Sequence, residues 1–231
     1  MSRLPSAAPE NSDSPVRVLE IPQLLPFEDS DWEAISKAFE AAPVLPFRQA
    51  WLEKTEPGFR DGEVRLGWQE EGICVWARME DDRIFTEATA NQQHLWRLGD
   101  VFEIFVRDTA NTEYLELHTA PTGHRLQLRF GSEQVIEQLR DGHGELEDYM
   151  VIEPLFHASV RTVLQGWEVL AVVSAEALGA GGSLAGRNFL ASFSRYDYRD
   201  AAAPPVLSST AAHRVLNFHR QGDWAQVRCA N

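Results

Sequence analysis

The chain has 231 residues, 44% of them hydrophobic, with 35 acidic against 21 basic side chains and a formal net charge of −14. That charge repels polyanions and no Lys/Arg run tracks a phosphate backbone, which argues against nucleic acid and anionic membranes as partners. No stretch approaches the ~18 consecutive apolar residues of a membrane span, and two cysteines, Cys74 and Cys229, are too few for a disulfide framework.

Residues 1–15 are rich in Ser, Pro and Ala and lack the apolar centre of a signal peptide. They read as a flexible lead to one domain over 16–231. As written, the chain is expected in the cytoplasm, or outside it if an export signal is missing. Ordered structure is expected to begin at Val16, Val18 and Leu19–Ile21. Asp29-Ser30-Asp31 then caps a short helix over Trp32–Ala41, with Trp32, Ile35, Ala38 and Phe39 at helical spacing.

From there the period is two. Val64, Leu66 and Trp68, a turn at Glu70-Glu71-Gly72, and Ile73, Val75 and Ala77 make a hairpin over 63–80. Short strands follow at Val101–Arg107, Tyr114–Ala120 and Arg125–Phe130. Another pair, Phe156–Val163 and Trp167–Ser174, flanks Leu164-Gln165-Gly166, and a late strand covers Asn188–Tyr196. Three glycines in Gly179–Gly182 read as a surface loop. Many short strands separated by turn signals predict an all-β, antiparallel sandwich with one short N-terminal helix. Cys74 sits in a strand-like run and Cys229 near the end. Two buried reduced thiols are the favoured reading, a bridge the alternative.

The stretch 100–130 carries the most chemistry. A symmetric hairpin centred on residues 108–112 pairs Glu103 with His118, Phe105 with Glu116 and Arg107 with Tyr114. Centring the next hairpin on Pro121-Thr122-Gly123-His124 pairs His118 with Gln127, Glu116 with Arg129 and Ala120 with Arg125. Because side chains alternate faces, one face is then apolar: Phe102, Ile104, Val106, Leu115, Leu117, Leu126, Leu128 and Phe130. The other gathers Glu103, His118, Gln127, Phe105, Glu116 and Arg129, with Arg125 at its margin. Such a face is either a solvated exterior or a floor of donors and acceptors for hydroxyl groups. Phe105 and the nearby Trp96 add the aromatic surface that a sugar ring uses.

The run Leu95-Trp96-Arg97-Leu98-Gly99-Asp100-Val101-Phe102-Glu103-Ile104-Phe105-Val106 resembles the family 9 carbohydrate-binding modules. So do Gly67-Trp68 through Asp81-Asp82, Gly166-Trp167-Glu168, Arg195-Tyr196-Asp197-Tyr198 and the tail from Pro205 through Asn217-Phe218-His219 to Asp223-Trp224. The likeness spans roughly residues 60–228. It implies a jelly-roll or immunoglobulin-like sandwich of the DOMON-like group. It also implies non-catalytic capture of a mono- or oligosaccharide end, with Trp96 as a stacking ring, Glu103 bonding hydroxyls and Arg125 as a polar clamp. Where the family carries a second stacking Trp, this chain has Tyr196 and Tyr198, followed by Arg199.

The candidate ligand-binding set is therefore Trp96, Glu103, His118, Arg125, Gln127, Tyr196 and Tyr198. The acidic run Glu80-Asp81-Asp82 offers oxygen ligands of the kind Ca²⁺ takes, or is simply a charged turn. Two other classes stay open. One is a sandwich without a sugar site, serving as a structural or protein-interaction domain. The other is a glycoside hydrolase using Glu103 and Glu116, although no nucleophile or metalloprotease motif accompanies them.

Overall fold

The computed structural model describes residues 18–231. The lead read over 1–15, and the start of order at Val16, lie outside the described residues. Twelve strands form: β1 (Leu19–Ile21), β2 (Val44–Pro46), β3 (Gly62–Gln69), β4 (Gly72–Glu80), β5 (Val101–Asp108), β6 (Tyr114–Thr119), β7 (Arg125–Phe130), β8 (Phe156–Val163), β9 (Gly166–Ser174), β10 (Asn188–Asp197), β11 (Val206–Ser209) and β12 (Ala225–Cys229). Two short helices, α1 (Trp32–Ala38) and α2 (Gln134–Arg140), accompany them. A seven-stranded sheet runs β1-β12-β10-β5-β6-β7, with β11 also on β10, and a five-stranded sheet runs β2-β3-β4-β9-β8. All pairings between these strands are antiparallel except β1 with β12.

The sheets enclose one apolar layer. Val64, Leu66 and Trp68 of β3, with Ile73, Val75, Ala77 and Met79 of β4, face Phe102, Ile104 and Val106 of β5, Leu115 and Leu117 of β6 and Phe193 of β10. Alternate residues of β4 point the other way, where Cys74 and Trp76 meet Ile35 and Phe39 from α1 and its end. A strand covered on both sides reads as a continuous apolar run, which is why Ile73–Ala77 has no polar position. Asp31 caps α1 by accepting from the Ala34 amide at 3.0 Å. The helix stops at Ala38, three residues before the expected end, because Phe39 leaves the helical geometry to pack against Trp76 at 5.8 Å. Cys74 packs on the outer face of the five-stranded sheet and Cys229 lies in the layer between the sheets. Both are free thiols.

The first central hairpin has the predicted register, Glu103 opposite His118 and Phe105 opposite Glu116. The second is displaced by one residue: Leu117 pairs with Gln127, His118 with Leu126, Glu116 with Leu128 and Thr119 with Arg125. The turn is the cause. The Ala120 amide donates to the His124 carbonyl at 2.9 Å, so three residues rather than four form the tip, and Gly123 closes it at φ +82°. This is the three-residue hairpin loop with a left-handed last position. A slip of one residue moves every side chain of a strand to the other face. Leu126, Leu128 and Phe130 consequently join the outer face of the seven-stranded sheet, while Arg125, Gln127 and Arg129 leave it.

Candidate functional site

The outer face of the seven-stranded sheet has an apolar margin and a charged centre. Leu126, Leu128 and Phe130 of β7, Tyr114 of β6 and Phe105 of β5 pack beneath Ile136 of α2 and beneath Phe218 and Trp224 of the segment leading into β12. Between them lies a cavity of about 450 Å³ whose floor carries Glu103 and Glu116 and whose walls include Trp96, Tyr196, Phe218 and His219. Arg97 and Arg140 stand at its edge. The roof was not foreseen: the face is covered rather than open to solvent. α2 had a signal, Ile136 and Leu139 at i, i+3 followed by Asp141-Gly142, but it is only two turns long.

Trp96 reaches the cavity from a short 3-10 turn, Leu95–Arg97. Gly99 then lets the backbone pass Phe85 closely enough that a Cβ would lie 2.3 Å from the Phe85 carbonyl oxygen. The Trp96 ring is half-buried, stacks on His94 with centroids 4.9 Å apart, and presents an edge contact to His118 at 5.4 Å. The Arg97 guanidinium lies 5.7 Å from its centroid.

His118 is fully buried, and its Nε2 faces both carboxyls: Glu116 Oε1 at 2.8 Å and Glu103 Oε1 at 3.4 Å. His219 Nδ1 lies 3.7 Å from the second oxygen of Glu116 and hydrogen-bonds the Tyr114 hydroxyl at 2.9 Å. Glu103 Oε2 and His118 Nδ1 have no hydrogen-bond partner among the described residues. Burial pushes the Glu103 carboxyl up to about 8, against the pull of His118 and with Glu116 adding to the rise. Burial also acts to raise Glu116, but His219 and the bond from His118 hold it below its ordinary value. His118 is the converse case. Burial disfavours its charged form, and the two carboxyls more than offset that, raising it. Burial holds His219 below its ordinary value despite Glu116. Burial and charge therefore act oppositely on the two carboxyls, Glu103 shifted towards its protonated form and Glu116 towards its ionised form, with one imidazole between them.

The sequence-derived candidates fall in several places. Trp96, Glu103 and Tyr196 line the cavity, and His118 sits directly beneath it. Tyr198 does not line it; its hydroxyl donates to the Trp96 carbonyl at 2.7 Å and its amide to Asp100, so it buttresses the turn that presents Trp96. Gln127 is on the opposite face, donating to the Val151 and Glu153 carbonyls at 2.8 and 2.9 Å and accepting from the Leu155 amide at 2.9 Å. Arg125 lies beside it, its guanidinium 5.7 Å from the Phe156 ring and donating to the Phe156 carbonyl. The four-residue turn, which the chain does not make, put Gln127 on the face of Glu103 and Arg125 at its margin, and the family resemblance implied Arg125 as the clamp. Glu116, Arg140 and His219 are the residues that the seven-residue set lacked. Glu116 was visible as Glu103's diagonal neighbour, and His219 as part of the aromatic-His pair of the tail.

The acidic run does not converge. Glu80 and Asp82 are exposed, and Asp82 pairs with Arg60 at 2.6 Å. Asp81 is buried and meets Arg195 at 3.3 Å, with Asp197 on the same guanidinium at 3.1 Å. Asp81, Asp100 and Asp197 do cluster, but two of the three already face an internal cation. Asp100 accepts from the Phe85 and Tyr198 amides, both at 2.6 Å.

No protein-family model and no curated protein matches the chain. Solved structures do. A Bacteroides uniformis protein provisionally described as carbohydrate-binding superposes with a TM-score of 0.71 at 13% identity, over 92% of this chain and 99% of that one. A family 9 carbohydrate-binding module from Caldicellulosiruptor kristjanssonii, in complex with cellotriose, gives 0.63 at 12% identity over 93% and 94%. The same organism's family 9 module with glucose gives 0.62 at 11% over 93% and 96%. The chain has the sandwich fold of these modules.

Proposed function

We propose that the protein binds a carbohydrate, without turning it over, in the cavity above Glu103 and Glu116. The observation that carries this reading is the pairing within one cavity of aromatic walls with buried carboxyls, one oxygen of which has no partner. A sugar ring needs both. Its C–H faces pack on aromatic surface and its hydroxyls must replace the water they lose. Glu103 and Glu116 offer carboxyl oxygens to those hydroxyls. Tyr196 and Phe218 supply apolar walls, and Trp96 offers the part of its ring that His94 does not cover. A volume of about 450 Å³ suits a mono- or disaccharide unit rather than a long chain. The fold shared with sugar-complexed modules supports the same reading.

The two carboxyls also suggest a glycoside hydrolase. Against it, the His118 Nε2 lies 2.8 Å from Glu116 and 3.4 Å from Glu103, so an imidazole fills the gap in which a retaining enzyme's two carboxyls, ~5–5.5 Å apart, would flank a scissile bond. Calorimetry of the purified protein with mono- and disaccharides at millimolar concentration tests the reading. Binding is expected, and Trp96→Ala should weaken it about tenfold or more, equivalent to ~1.4 kcal/mol. Silence across a broad panel would defeat it. Release of reducing sugar from a glycoside, lost in Glu103→Gln, would instead establish the enzyme.

A further inference from the structure

Glu103, Glu116 and His118 lie buried side by side, with no Lys or Arg among the described residues between them. At the other buried carboxylate cluster, Asp81 and Asp197 close on the Arg195 guanidinium. Glu103 and Glu116 are equally enclosed, at 1% and 7% exposure, yet among the described residues no Lys or Arg lies within ion-pair distance of either. The cationic groups nearest them among the described residues are His118 and His219, with Arg140 exerting a weaker pull on Glu116 from the cavity edge. A single imidazole N–H directed between two carboxyls serves one of them well, and Glu103 Oε2 is left with no partner at all. Leaving such a group buried and unpaired is costly, so each instance in a folded protein needs an explanation.

We propose that these three side chains form a divalent transition-metal site at the floor of the cavity. One donor atom from each of Glu103, Glu116 and His118 lies within 4.8 Å of the others. The imidazole Nε2 stands 2.8 Å from one carboxylate oxygen and 3.4 Å from the other. Two donors held ~2.1 Å from a common metal at those separations subtend ~85° and ~110° there, which brackets octahedral and tetrahedral coordination. The mixed set, one imidazole nitrogen and two carboxylates, favours Zn²⁺ or a neighbouring first-row ion over Ca²⁺, which takes six to eight oxygens. Glu103 and Glu116 border the cavity, so the remaining coordination positions face it, and a ligand's hydroxyl or carboxylate oxygen is the natural occupant. The site stands independently of the sugar reading: it needs only the three donors, and metal uptake is measured with no sugar present.

The test uses the full chain, stripped with chelator, dialysed and titrated with Zn²⁺, with Mg²⁺ and Ca²⁺ for comparison. One equivalent of Zn²⁺ should bind with micromolar or better affinity and raise the melting temperature, because a ligand of the native state stabilises it by mass action. Glu103→Gln should lower that affinity at least tenfold while the metal-free protein keeps its melting temperature. Glu116→Gln should do the same, which guards against either variant misfolding. Two other histidine–carboxylate pairs, His94–Glu147 and His157–Asp29, lie nearer the surface. His94→Asn and His157→Asn should therefore leave the stoichiometry unchanged. Wild-type protein that takes up no Zn²⁺, or Glu103→Gln protein that binds it as tightly as wild type, would overturn the assignment. Loss of the bound equivalent in His94→Asn or His157→Asn would place it at the surface and overturn the assignment as well.

Discussion

Gln127→Leu keeps the volume of the side chain and removes its polar atoms, so it separates a clasp from a ligand contact. Gln127 holds the segment before β8 against β7 through three hydrogen bonds: to the carbonyls of Val151 and Glu153, and from the Leu155 amide. The Val151 carbonyl keeps a second donor, Gln92 Nε2 at 2.7 Å, and the Glu153 carbonyl is part-buried and open to replacement by water. The Leu155 amide is buried and keeps nothing. An orphaned buried amide costs ~1–3 kcal/mol, and each carbonyl bond lost contributes ~0.5–1.5 kcal/mol at most. A net loss of about 3 kcal/mol is expected after allowing for Gln92. For a chain of this size that is a fall in melting temperature of ~6–12 °C. Thermal unfolding followed by circular dichroism gives the number, and calorimetry should find sugar affinity unchanged. A variant that melts within a degree or two of wild type but no longer binds would return Gln127 to the ligand face and refute the shifted register.

Arg125→Ala should leave sugar affinity within about twofold of wild type, since Arg125 packs on Phe156 away from the cavity; a tenfold loss by calorimetry would make it a clamp after all. Arg195→Met should destabilise the protein by ~3–5 kcal/mol in urea titration, because it strands Asp81 and Asp197 in the interior; a neutral result would mean that the Arg195 ion pairs do not hold this part of the fold. Burial pushes both the Cys74 and the Cys229 thiols up to about 12, so iodoacetamide at pH 8 should modify neither in the native protein and both in denaturant, as read by mass spectrometry. Millimolar Ca²⁺ should leave the melting temperature unchanged, because Asp81 and Asp82 are held by Arg195 and Arg60; a clear rise would restore the acidic turn as a metal site.

Much of the sandwich is legible in the sequence because its strands obey simple alternation. The β3–β4 hairpin, the β5–β6 pairing and the β8–β9 pair fall where period two and the intervening turns put them. The β6–β7 register is not, because it depends on whether His124 belongs to the tip or pairs with Ala120, and Gly123 permits the tighter turn. That residue changes which face Leu126, Leu128 and Phe130 occupy, and with it the nature of the site: a buried charged floor inside an apolar rim instead of an open polar sheet. The roof is hidden for a different reason. α2 and the chain around Phe218 are short or irregular, and their positions are set by what they cover rather than by local propensity. Glu103 beside His118 was readable from the first hairpin alone; their isolation from solvent was not.

On the proposed function a carbohydrate occupies the cavity bounded by Trp96, Tyr196 and the Glu103–Glu116 floor. A crystal structure of the protein soaked with the tightest-binding sugar from the calorimetric panel tests it most directly. Density is expected for one sugar unit against Trp96 or Tyr196, with a hydroxyl or ring oxygen at hydrogen-bond distance from a carboxyl oxygen of Glu103 or Glu116. Sugar density elsewhere, such as beside Arg125 and Phe156, with the floor of this cavity untouched, would contradict it.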